Sequence, residues 1–189
     1  MHSWTFRLNA IFTFTVTVLA VLSALNALSV SILDPQPVAT IDNVKLNRLP
    51  GSGPKRPNAE ARVMFDMAAD FRTLFTWNTK LIFLFVTAEY KTELNQVNQV
   101  VIWDYIIEDV KHAELTVGRA QTMLLPRHHN EYPLIDQGRG IRGSEGPVKL
   151  VLNWCTMPIV GIISRQRRAV SEFTFPETWE KLAAVSSNN

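Results

Sequence analysis

Three groups of residues in this chain are of types that could do chemistry. Gly138-Arg139-Gly140-Ile141-Arg142-Gly143 spells GxGxxG. A phosphate site built on that spacing needs a strand before it and a helix after it, so that the phosphates meet the helix N-terminus. Here Ser144-Glu145-Gly146-Pro147 and a strand-like run follow, so the glycines read as a turn cluster. His128-His129, with His112 and Cys155, could suggest a metal. Adjacent histidines point to opposite sides of an extended chain, and the spacing matches no standard zinc pattern, so a solvated loop pair is the reading. A hydrolase needs a nucleophile beside a positioned base. The serines fall mostly in the apolar N-terminal stretch, the Gly/Pro loops and the tail, without a GxSxG elbow. Ser164 and Ser171 flank Arg165-Gln166-Arg167-Arg168 with nothing to activate them, and Asp104, Glu108 and Asp136 suit turns and strand ends. No catalytic residue, cofactor, metal or small-molecule ligand is expected.

The element that organises the chain is Ala10–Leu33, which contains no charged residue. As a helix it runs about 36 Å, more than the roughly 30 Å of a hydrocarbon core, so it can span a bilayer with some tilt. We read it as a retained anchor, because the apolar run is long for a signal peptide and continues through Val30, Ile32 and Leu33. The alternative is a cleaved leader, with Ala27-Leu28-Ser29 as the processing site, releasing a secreted or surface β-sandwich recognition module. Its hydroxyls can bond back to backbone carbonyls. Ala20 with Ala24 and Ala27 with Ser31 are small pairs at the spacing that lets a neighbouring helix approach. Asn26, in hydrocarbon, prefers a protein partner to lipid.

Charge excludes one class of function. The chain carries 19 Lys+Arg against 17 Asp+Glu, a net charge of +2, and gives no electrostatic reason to expect nucleic acid. Around the anchor, Arg7 precedes it and Asp34 follows it, which favours a cytosolic N-terminus; Lys45 and Arg48 weaken that bias. A single cysteine, Cys155, rules out an internal disulfide. Residues 1–9 form a short polar lead with Trp4 and Phe6, 10–33 the anchor and 34–189 one water-soluble domain.

That domain reads as short strands. Val38–Leu49 has ragged strand spacing, and Pro50–Pro57 is a loop by composition. From Arg62 the period is two, placing Val63, Phe65 and Met67 on one face. Lys80–Tyr90 is nearly continuously apolar, as in a strand covered on both sides. Gln99–Trp103 is a strand, with Asp104–Ile107 leading into a turn; His112–Val117 is a further short strand. Arg119–Pro133 reads as loop, Leu134–Gln137 as short and extended. Val148–Met157 alternates, with Val148, Leu150, Leu152 and Trp154 inward and Lys149, Asn153 and Cys155 opposite. Ile159–Ile163 and Ala169–Phe175 read as the arms of a final hairpin whose tip is the basic run Arg165–Arg168. The fold class is therefore mainly β: one transmembrane helix followed by an antiparallel sandwich. Leu182–Asn189 is a frayed tail. Tryptophans serve as core or as interface anchors; Trp154 has the phase of a core residue, and Trp77 is best placed at an end of the sandwich.

Several fragments, in order, resemble subunit 3 of the eukaryotic signal peptidase complex. They are Leu74–Lys80 (LFTWNTK), Ala88–Tyr90 (AEY), Asn98–Asp104 (NQVVIWD), Ile135–Gly138 (IDQG) and Met157-Pro158. The opening Met1-His2-Ser3 and Arg7–Ala10 also fit, so the similarity runs from Met1 to about Trp179. The resemblance implies a single-pass type II protein of the endoplasmic reticulum membrane with a lumenal sandwich. It also implies a subunit without an active site of its own, which packs on a membrane-bound serine protease and supports removal of signal peptides. Within or beside the matching fragments, Trp77, Asn78, Lys80, Trp103, Asp104, Asp136 and Gln137 are the candidate partner contacts. The sequence departs from the family in the length of Gly118–Pro133 and in the tail beyond Trp179. It also lacks the usual glycosylation sequon, Asn153-Trp154-Cys155 being only the rare cysteine form.

Overall fold

A computed structural model describes residues 3–33, 35–48, 59–92, 95–117, 132, 134–136 and 146–174. Helix α1 (Trp4–Ser31) is followed by strands β1 (Val38–Arg48), β2 (Ala59–Asp70), β3 (Thr79–Tyr90) and β4 (Asn98–Ile107). Then come β5 (Glu114–Val117), β6 (Leu134–Asp136), β7 (Val148–Pro158) and β8 (Ser164–Phe173). The strand assignments around Val38, Arg62, Lys80, Leu134 and Val148 agree with the sequence reading.

The helix begins at Trp4, ahead of the uncharged run, because no glycine or proline interrupts the chain from there to Ser31. Its 28 residues rise about 42 Å. Thr15 and Thr17 donate to the carbonyls of Ile11 and Thr13 at 2.9 and 2.8 Å, which satisfies their hydroxyls without water. Ile32 caps the helix, and Pro35 and Pro37 carry the chain away from it.

Two four-stranded antiparallel sheets follow. In the first, β2 pairs with β1 along one side and with β5 and β6 on the other; the second runs β4-β3-β7-β8. Their inner faces meet in one core, with Val63, Phe65, Met67 and Phe71 against Ile82, Leu84, Val86, Leu150 and Leu152. Phe65 meets Trp103 edge-on at 6.4 Å, and Phe71 tilts against Trp154 at 6.3 Å, so each pair spans the two sheets.

A bulge and a 3-10 turn account for two places where a plain period misleads. Opposite Val86 and Thr87 stand Trp103 and Val101, so Ile102 is an extra residue in β4. Ile102 and Trp103 therefore both turn inward, and Asp104–Ile107 continues the strand instead of leading into a turn. Ahead of β5, Val110–His112 forms a 3-10 turn, so the strand begins only at Glu114.

The last hairpin is also displaced from expectation. Arg165–Arg168 is not its tip but part of β8, and the chain reverses at Ile159–Ile163. Gly161 makes that possible, at φ +113°, where a side chain is disfavoured. β8 is an edge strand, and charge there is what keeps edges from pairing with other chains.

The outer face of β3 is covered by its own sheet. Phe83 stacks on Phe85 at 5.5 Å, the Arg165 guanidinium lies 5.4 Å from the Phe85 ring centre, and Thr87 receives the Asn153 amide at 3.0 Å.

Candidate functional site

One end of the sandwich is bonded to the helix, and this junction is the candidate site. It begins with Asn78, in the turn that delivers the chain from the 3-10 segment Arg72–Leu74 into β3. Thr79 fixes that turn: its hydroxyl donates to the Leu74 carbonyl at 2.8 Å and accepts from the Thr76 N–H at 3.2 Å. Asn78, only 3% exposed, is thereby aimed between α1 and the β7–β8 turn.

All of its hydrogen-bonding groups named here reach distant segments. Its side-chain oxygen accepts from Asn26 of the helix at 3.0 Å and from the Val160 N–H at 3.0 Å. Its amide donates to the Val160 carbonyl at 2.7 Å, and its own carbonyl accepts from the Ile159 N–H at 2.7 Å. Beside it the Trp77 indole N–H donates to the Ser29 hydroxyl at 3.2 Å, and that hydroxyl donates to the Asn26 carbonyl at 2.8 Å. Gly161 completes the approach, since a Cβ added there would stand 3.3 Å from the Ala27 Cβ. Asn26 thus has a protein partner, as a membrane asparagine requires, and the partner lies in the same chain.

The other sequence-derived positions fall in several places. Lys80 is an extra residue in β3, because Thr79 and Leu81 pair with Pro158 and Met157; the bulge leaves its side chain exposed just beyond the junction. Trp103 is 1% exposed, stacked on Tyr105 and inside the core. Asp104 lies opposite Phe85, and its Oδ1 has no hydrogen-bond partner among the described residues. Asp136 ends β6 opposite Ala59; its side chain and all of Gln137 lie outside the described residues. Of the small helix residues, Ala27 is half-buried against the turn, while Ala20, Ala24 and Ser31 are exposed. Val160 and Gly161 escaped the sequence reading; the available signal was a glycine inside an apolar run.

Asn153 is buried, and its amide donates to Thr87 and to the Val151 carbonyl, so the nitrogen that a glycan would occupy is already bonded within the sheet. Cys155 is a free, half-buried thiol. An open cleft of about 490 Å³ lies between Gln36-Pro37 and β8, lined also by Trp154, Gln166, Arg167 and Arg168. It offers two guanidinium cations and two amides, but no carboxylate or histidine among its lining residues. Among the described residues no three His, Cys, Asp or Glu side chains converge. The GxGxxG cluster and His128-His129 lie outside the described residues.

Fold and junction together define a class: an apolar helix long enough to cross a membrane, hydrogen-bonded to one end of an antiparallel β-sandwich. The family model described as "Signal peptidase subunit" matches residues 1–178. A Dictyostelium discoideum protein named signal peptidase complex subunit 3 is 36% identical over 183 residues, covering 97% of this chain and 99% of that one. The Drosophila melanogaster protein of the same name is 34% identical over 180 residues, covering 93% and 96%. This chain belongs to the signal peptidase subunit family, and the resemblance carried by its short fragments holds over nearly its whole length.

Proposed function

We propose that this chain is a non-catalytic subunit of a signal peptidase complex in the endoplasmic reticulum membrane. Its N-terminus is cytosolic, α1 crosses the bilayer and the sandwich stands in the lumen. There it binds and stabilises the catalytic serine protease subunit, supporting removal of signal peptides from nascent secretory and membrane proteins.

The junction is the observation that carries this reading. A brace must hold its body at a fixed height and angle to the membrane, and the Asn26–Asn78–Val160 bonds do that without a linker. A cut at Ala27–Ser29 would remove the helical turn that this network uses, which supports a retained anchor over a cleaved leader. Of the candidate contacts for the protease, Trp77 and Lys80 are exposed beside the junction and Asp104 lies on the outer face of the second sheet, whereas Asn78 and Trp103 are buried within the chain.

Co-purification from detergent-solubilised membranes tests the proposal. The intact chain should recover the protease subunit, and Asn78→Ala should recover less of it while staying in the membrane fraction. Repeated absence of the protease, or cleavage of a signal-peptide substrate by the purified chain alone, overturns the reading.

A further inference from the structure

Among the described residues, the turn between β7 and β8 is the most exposed apolar feature of the sandwich end that faces the helix. Ile162 is 92% exposed, Ile159 and Ile163 are also exposed, and so is Trp77 beside them. No charged side chain occurs from Met157 to Ser164. In a monomer, such a convex cluster needs a covering, and three observations say what covers it.

The first is height. Gly161 stands against Ala27, which precedes the end of the uncharged run at Leu33 by about 9 Å of helix rise. That run exceeds the hydrocarbon thickness by only about 6 Å. Even if the whole excess lies on this side, the turn reaches the edge of the hydrocarbon.

The second is the backbone. A turn lies in a membrane surface more easily the fewer of its polar groups lack a partner in the protein. Asn78 takes up the Ile159 N–H, the Val160 N–H and the Val160 carbonyl at the base of the turn, which leaves only the backbone groups of the tip, Gly161–Ile163, to the water of the interface.

The third is the order of chemistry along the hairpin. Past the isoleucines, Arg165 follows Ile163 by about 7 Å of strand. Exposed Lys80 stands at the start of β3, at the same end of the sheet, and the Trp77 indole is the kind of ring that favours the interface. Apolar tip, amphipathic ring and cations are the sequence of environments met on leaving a bilayer.

We propose that Ile159–Ile163, with Trp77, is a second membrane contact that inserts into the lipid leaflet flanking the C-terminal end of α1, with Lys80 and Arg165 at the headgroups. This rests on the reading of α1 as a membrane span. The sandwich is then held to the bilayer at two points, and cannot swing about its helix.

The test uses the full chain in nanodiscs of phosphatidylcholine with a minor share of phosphatidylserine. In a Cys155→Ser background, an environment-sensitive probe is attached at Ile162→Cys, at Val97→Cys in the turn at the opposite end, or at Leu19→Cys in the middle of α1. All three native side chains are exposed, so none of the replacements opens the core. Doxyl-labelled lipid should quench the Ile162 probe severalfold more than the Val97 probe, and iodide should quench it severalfold less. Equal iodide quenching at Ile162 and Val97, with Leu19 quenched by lipid, overturns the inserted turn and leaves the span standing. Shielding of Ile162 that appears only when the other subunits are reconstituted overturns it too, by making the tip a protein-docking surface. A Leu19 probe untouched by doxyl lipid overturns both the span and the turn.

Discussion

The two ends of the second sheet are closed by the same residue type to different effect. At the far end Asn98 donates to the Tyr90 carbonyl and the Thr92 hydroxyl, and accepts from Asn95. Every partner is within eight residues, and the result is a closed turn. At the near end Asn78 bonds to Asn26 and Val160, separated from it by 52 and 82 residues, and so joins three segments through one side chain. An asparagine with local partners shapes a connection; one with distant partners fixes how parts of the molecule sit relative to each other.

The contrast is sharpest in Asn78→Ala, which leaves the Val160 N–H and carbonyl without their partner in a half-buried place. Unmet groups of that kind cost about 1–3 kcal/mol together. Chemical denaturation in detergent should register that loss, and a loss no greater than that of Asn98→Ala would break the comparison. Glycines at the two ends make a second pair. Gly161→Ala adds a methyl 3.3 Å from Ala27 at φ +113°, whereas Gly146 sits at φ +85° with open space around it. Backbone strain of this type costs about 1–3 kcal/mol. Both variants should lower the midpoint of thermal unfolding, Gly161→Ala more than Gly146→Ala.

Asn98→Ala itself should cost about 0.5–1.5 kcal/mol by the same denaturation assay, since two of its three partners, Thr92 and Asn95, can turn to water. The smallest effect concerns acid. The Arg72 guanidinium, 2.6 Å from Asp70, lowers the Asp70 carboxyl from its ordinary 3.8 to about 2. A carboxylate lowered in the folded state stabilises fully above pH 3.8, and that contribution fades as pH falls through about 2. The pair is open to solvent and screened, so Asp70→Asn should flatten only slightly the acid limb of a stability profile.

Much of the architecture is legible in the residues. Val148, Leu150, Leu152 and Trp154 alternate without interruption, and all four lie in the core. Lys80–Tyr90 announced a central strand, although its outer face is covered by Phe83, Arg165 and Asn153 of its own sheet. Ile102 was not legible, because one added residue inverts the phase of everything after it. Neither was the last turn: an apolar run reads as strand and four polar residues read as a tip, until a single glycine reverses the assignment. For the junction, Asn26's need of a protein partner follows from its setting, but its pairing with Asn78 is a property of the folded chain that no local pattern contains.

That separation in sequence also sets a schedule. A ribosome completes α1 well before it reaches residue 78, and it makes Val160 among the last parts of the sandwich. Until residue 78 is made the Asn26 amide lacks this partner, and until residue 160 is made Asn78 lacks its bonds to the last turn. The orientation of the sandwich is therefore settled late in synthesis, after nearly every strand has been made.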